Sequence, residues 1–237
     1  MPLSPKTGLA LAALAALGLA AARPAAAQTI NTLPNQNDSI AAFGVSQTAT
    51  FGQTIISPIT GSLLNFTFNV NNFGGTPIKA DAEVYAYSSA TSKASGPALS
   101  QSAPFTIAAN NTNTFTLVTA TSGAAVTAGS KYVILFTTSG LESGQPISAA
   151  GFGISPKTSY SSGAFVYMNN GDDHSQLTSS TFTTFVQGSN LAFKANFGPA
   201  AVPEPSQTLA FACGALGLIG MVTARRRKTH GKASPAF

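Results

Sequence analysis

Leu64-Asn65-Phe66-Thr67-Phe68-Asn69-Val70 alternates apolar and polar side chains with a period of two. Side chains on an extended strand point to opposite faces in turn, so the stretch reads as a strand with one buried and one solvated face. A helix would need its apolar positions three and four apart, and Asn, Thr and Val at this density disfavour one.

Outward from this stretch the same period recurs. Ile78, Ala80, Ala82, Val84 and Ala86 share one face of a predicted strand, with Asp81, Glu83, Tyr85 and Tyr87 on the other. Phe115 and Leu117 alternate with Thr114 and Thr116. Lys131 to Thr138 is a nearly continuous apolar run rich in β-branched and aromatic residues, which predicts a central strand buried on both faces. Leu191, Phe193, Ala195 and Phe197 alternate once more. Turn signals separate the runs: Phe73-Gly74-Gly75-Thr76-Pro77, Ser95-Gly96-Pro97, Asn110-Asn111, Ala128-Gly129-Ser130, Ser143-Gly144-Gln145-Pro146 and Asn169-Asn170-Gly171-Asp172. The pattern predicts about ten short strands and almost no helix. The expected fold class is all-β, an antiparallel two-sheet sandwich of jelly-roll type. A β-solenoid is the alternative, and the lack of a fixed repeat argues against it.

Charged residues make up only 8% of the chain, and Ser, Thr, Asn, Gly and Ala stand where Lys and Glu usually do. The net charge of +5 belongs to the ends. Between Gln28 and Val202, five lysines (79, 93, 131, 157, 194) face six acids (Asp38, Asp81, Glu83, Glu142, Asp172, Asp173). Without a basic stripe on the middle, nucleic acid is excluded as a partner. The single cysteine, Cys213, lies near the C-terminus, so the middle can form no disulfide.

The two ends read as addresses. Lys6 precedes the Leu/Ala/Gly run from Gly8 to Ala22, and Ala25-Ala26-Ala27 follows. Charge, short apolar run and small residues in that order predict a signal peptide over 1–27, cut by signal peptidase between Ala27 and Gln28. At the other end Pro203-Glu204-Pro205 precedes an uncharged run from Ser206 to Ala224 and then Arg225-Arg226-Arg227-Lys228. The prolines hold the backbone extended for a protease cleft. A helix of about 19 residues just spans a hydrocarbon core. The basic cluster stops transfer on the cytoplasmic side of the inner membrane. The expected layout is a signal peptide over 1–27, a β-sandwich ectodomain over 28–199, and a linker, transmembrane helix and basic tail over 200–237.

Val202 to Lys228 resembles the PEP-CTERM sorting tail of Gram-negative bacteria, through the Pro-Glu-Pro triplet, the apolar helix and the Arg cluster in that order. The resemblance implies processing near Pro203-Glu204-Pro205 by an exosortase, a membrane cysteine protease or transpeptidase, and an association with exopolysaccharide and biofilm. Thr229 to Phe237 runs further past the Arg cluster than is usual for the family. The middle also resembles ectodomains found in front of this tail, through Phe66-Thr67-Phe68, Val84-Tyr85-Ala86-Tyr87, Gly96-Pro97-Ala98-Leu99, Ala128 to Val133 and Leu191-Ala192-Phe193. No activity is carried over with it.

Little in the middle points to catalysis. Its one histidine, His174, sits beside Asp172 and Asp173, and neighbours in one loop do not make a Ser-His-Asp arrangement. Asp172 and Asp173 are weak metal candidates, because the spacing around them is not that of a calcium loop. Asp81 and Glu83 on one strand lie about 7 Å apart, a separation an inverting glycosidase can use, though catalytic pairs usually come from different elements. Tyr85 and Tyr87 continue that face and are candidates to stack on a sugar. The expectation is a non-catalytic exported surface or matrix protein without a cofactor. The alternatives are a carbohydrate-binding adhesin and, behind it, a polysaccharide-active enzyme.

Overall fold

The computed structural model describes residues 26–110, 114–141, 150–185 and 188–200. The expected signal peptide up to Ala25, the Pro-Glu-Pro triplet, the expected transmembrane helix and the basic cluster lie outside the described residues, as do Glu142 and Cys213. No helix among the described residues is long and apolar enough to cross a membrane.

Between Gln28 and Pro199 the described residues are all-β, with two antiparallel sheets and almost no helix. Fourteen strands occur among the described residues, more than the ten expected, because short edge strands escape a periodicity reading. In the first sheet, β4 (Gly61–Asn72) lies at the centre. On one side it pairs with β8 (Thr116–Val126). On the other it pairs first with β14 (Phe193–Pro199) and then with β10 (Ala150–Ser155). Beyond these, β1 (Gln28–Asn31) flanks β14, while β2 (Asp38–Phe43) and β13 (Asn190–Leu191) flank β10. The second sheet runs β12 (Thr183–Thr184), β11 (Phe165–Met168), β3 (Thr50–Ile56), β9 (Lys131–Thr137), β5 (Ile78–Ser88) and β6 (Lys93–Gln101). β7 (Phe105–Ile107) extends β6 along β5. The pairs β5·β6, β4·β8, β3·β9 and β2·β10 nest inside one another, as if one long hairpin had been wound over both sheets.

The sheets pack face to face through phenylalanine. Phe66 and Phe68 from β4, Phe152 from β10 and Phe136 from β9 are all at most 1% exposed. Phe68 and Phe136 meet edge to face with centroids 4.9 Å apart, and Phe68 and Phe152 at 5.7 Å. Each such side chain contributes about 1.5–3 kcal/mol by leaving water. This core replaces the disulfides that the chain does not have.

Two facings differ from expectation. Leu63, not Leu64, enters the core: the β4·β8 register shifts between Leu63 and Asn65, and Leu64 is turned out to 44% exposure. On β8, Val118, Ala120, Ala124 and Val126 face inward, while Leu117 is 62% exposed. The register, which sets Leu117 opposite Asn69, decides this, because a slip of one residue turns every side chain over. The expected double-sided burial of β9 holds. Ile134 and Phe136 face the main core, while Val133 and Leu135 face a second apolar cluster on the far side of the sheet.

The outer face of the first sheet is a lattice of short polar side chains. Thr29 donates to Asn196 Oδ1 (2.9 Å), Asn196 donates to Asn65 Oδ1 (2.6 Å), and the hydroxyls of Thr67 and Thr119 are bonded at 2.7 Å. Asn and Thr thus do there what Lys and Glu do on most solvated sheets.

Candidate functional site

The face that the sequence marks for chemistry carries Asp81, Glu83, Tyr85 and Tyr87 on β5. These side chains do point away from the main core, but not into open solvent. A strap formed by residues 169–182 crosses over them and inserts Leu177 and Phe182 beside Tyr85, Val133, Leu135, Val166 and Met168.

Hydrogen bonds hold the strap at both ends, buried at the Asn170 end. Asn170 accepts from the Thr50 hydroxyl (2.9 Å) and donates to Ser139 Oγ (2.7 Å), which in turn donates to the Gly171 carbonyl (2.6 Å). At its far end Lys93 Nζ donates to the Ser179 carbonyl (2.6 Å), and the Phe182 amide donates to the Ser92 carbonyl (2.8 Å). A single helical turn, Gln176–Ser179, sets Leu177 inward.

Under the strap lies a cluster of ionisable groups. Glu83 is fully buried and accepts from the Tyr85 hydroxyl and from Gln101 Nε2 (3.1 Å). The same Gln101 nitrogen donates to Asp81 Oδ2 (2.9 Å), so one amide bridges both carboxylates. His174 closes the cluster from the strap, its Nε2 2.7 Å from Glu83 Oε1. The His174 side chain is 38% exposed and therefore forms the solvent side of the group. Gly140, at φ +77°, packs against the His174 Cβ, where a side chain would meet it at 3.2 Å.

Burial is the first cause of the electrostatics here. It pushes the Asp81 carboxyl above its ordinary value; Glu83 adds to the shift, while Gln101 and His174 oppose it. The Tyr85 hydroxyl is driven far up by burial, by its bond to Glu83 and by the two nearby carboxylates. Asp81 Oδ1 is buried without a hydrogen-bond partner among the described residues.

Several sequence candidates change role. Tyr85 is 3% exposed and spends its hydroxyl on Glu83, so it presents no ring face to a sugar. Tyr87 is half-buried and packs against Phe182 at 6.2 Å, with Lys131 Nζ 6.0 Å from its ring centre. The expected saccharide platform on this face is therefore corrected: the strap occupies the place a sugar would take. Asp81 and Glu83 lie beneath the same cover rather than on an open face. Asp172 accepts from the Gly140 amide (2.9 Å). Asp173 accepts from the Ser175 amide and hydroxyl and from Gln176 Nε2, and these bonds lower its pKa. Both are turn carboxylates. No group of three or more His, Cys, Asp or Glu among the described residues is placed to hold a metal ion.

The sequence reading set His174 beside Asp172 and Asp173; the fold carries it instead to Glu83, 91 positions away in sequence. Lone polar residues of opposite character in distant runs, one of them on a strand face richer in acids than its neighbours, were the only signal for that contact.

Comparison with known proteins adds three findings. No curated protein matches the chain in sequence. A solved structure of the cysteine protease and lectin-like domains of Cwp84, a surface layer associated protein of Clostridium difficile, is similar at a TM-score of 0.41 and 9% identity, over 65% of this chain and 33% of that one. This chain thus spans about a third of that relative's length. The PEP-CTERM protein-sorting motif matches residues 201–228, the segment that begins two residues after β14 ends, and implies an exported protein processed by an exosortase. Residues 201–228 thus carry a PEP-CTERM protein-sorting motif.

Proposed function

We propose that the protein is a non-catalytic jelly-roll sandwich delivered to the cell surface or the extracellular matrix, where it serves alongside exopolysaccharide in a biofilm. Signal peptidase cuts between Ala27 and Gln28. The Ser206 to Ala224 helix then holds the chain briefly in the inner membrane, with Arg225 to Lys228 inside, until an exosortase cuts near Pro203-Glu204-Pro205. The observation that carries this reading is the sorting motif at 201–228. A non-catalytic role is supported by the burial of Asp81 and Glu83 under the strap, because a glycosidase pair needs room for a sugar and a water between its carboxyl groups. The nested strand pairing supports the jelly-roll description.

Replacing Pro203, Glu204 and Pro205 together by Ala tests the sorting reading. The variant is expected to stay in the membrane fraction with its C-terminal tail attached, as intact mass reports. A variant with the same mature mass and destination as the native chain overturns it.

A further inference from the structure

On the face of the second sheet that turns away from Leu177 and Phe182, between β2 of the first sheet and β3 and β11 of the second, lies a cleft of about 260 Å³ reached by the first strap residue, Asn169. Its wall is aromatic. Phe165 is the hub, with Phe51 edge-on at 5.2 Å, Phe185 tilted at 5.2 Å and Tyr167 at 6.1 Å. Thr48 and Asn169 add a hydroxyl and an amide, and among the described residues no charged side chain lines the cleft.

Among the described residues the polar side chains at this cleft find no hydrogen-bond partner, which sets them apart from their counterparts elsewhere. Four of the five tyrosine hydroxyls are used inside the protein. Tyr85 donates to Glu83, Tyr87 bonds Ser92, and Tyr132 and Tyr160 accept from the amides of Thr127 and Ile56. The fifth, Tyr167, makes no such bond with a described residue, and neither does the Thr48 hydroxyl or the Asn169 amide. Asn170, one position on, has both ends of its amide committed to the strap network.

The geometry points to a binding site for one ring of an uncharged sugar, a neutral pyranose. An ion would find no counter-charge, and losing its water there is costly. An acyl chain would cover three hydrogen-bonding groups without satisfying them, at about 1–3 kcal/mol each. Phe51 and Phe165 are buried behind the cleft, so a pyranose would lay its C–H face on the partly exposed rings of Phe185 and Tyr167 and offer its edge hydroxyls to Tyr167, Thr48 and Asn169. The volume falls below the roughly 300 Å³ at which drug-sized pockets begin, so the cleft takes a single ring rather than an extended oligomer. This site lies on a different face from Tyr85 and Tyr87, and it does not rest on the sorting reading.

The test is saturation-transfer NMR on the exported protein, with the methyl glycosides of glucose, galactose, mannose and N-acetylglucosamine as probes. At least one is expected to bind saturably. Tyr167→Phe and Asn169→Ala should each weaken it about fivefold, the value of one hydrogen bond, with unchanged thermal melting. A linear oligosaccharide ending in the same sugar should bind through its terminal ring alone, which separates a glycan end from a free monosaccharide as the ligand. No saturable signal from any of the four, equal binding by the two variants, or stronger binding of hexanoate than of any glycoside overturns the proposal. The assay is indifferent to where the protein is delivered, so its failure would leave the sorting reading standing.

Discussion

The contact between His174 and Glu83 ties the strap to the sandwich, and a double-mutant cycle measures it. The perturbations are His174→Ala, Glu83→Gln and the pair together. An exposed polar pair is worth about 0–1 kcal/mol, while a hydrogen bond to a fully buried charged group contributes about 1.5–3 kcal/mol. Here one partner is 38% exposed and the other fully buried, at 2.7 Å. The coupling should therefore fall between these limits, at about 1.5–2.5 kcal/mol. His174→Ala leaves Glu83 its bonds from Tyr85 and Gln101, so the loss should stop short of the upper figure. Urea denaturation of the four proteins yields the coupling energy, and limited proteolysis within 169–182 reports the strap directly. A loss of about 2 kcal/mol raises the open population roughly thirtyfold, and cleavage of the strap should rise with it. A coupling energy below about 0.5 kcal/mol, with unchanged cleavage, would refute the view that this contact fastens the strap.

Phe136→Ala should cost about 3–5 kcal/mol, near the upper end, because its ring touches Phe66, Phe68, Phe105 and Phe152 from both sheets; the urea midpoint checks it. Asp81→Asn should stabilise the protein at neutral pH, because the folded state raises the pKa of this carboxyl and so disfavours its ionised form. The sign follows: the native chain carries the whole penalty above the raised folded value, and gains on the Asn variant as pH falls through that value towards the ordinary 3.8. Melting temperatures of both proteins across acid and neutral pH test this, and a native chain more stable than the variant at pH 7 would contradict it.

Much of the sandwich was legible because burial on one face writes itself into a period of two. Ile78, Ala80, Ala82 and Val84 face the core as their spacing predicts, and the unbroken apolar run of β9 sits between two apolar clusters. The errors came where the ladder, not the residue, sets the facing. Leu64 is turned out by the register shift beside it, and the phase of β8 follows from its partner Asn69 rather than from Leu117. An acid-rich strand face looks solvated in sequence whether or not another segment lies over it. Nothing within β5 announces that residues 169–182 do.

The linear order of residues alone determined the class of fold and the sorting motif, because both are local: strand periodicity spans a few residues, and the triplet, apolar run and basic cluster of 201–228 are contiguous. Only the tertiary structure decided which polar groups meet. His174 reaches Glu83 across 91 positions, Gln101 bridges two carboxylates from the next strand, and Thr48, Tyr167 and Asn169 gather at one aromatic cleft from opposite ends of the domain. Such meetings depend on register and on the path of the strap, and these are settled by packing over the whole domain rather than by any one segment.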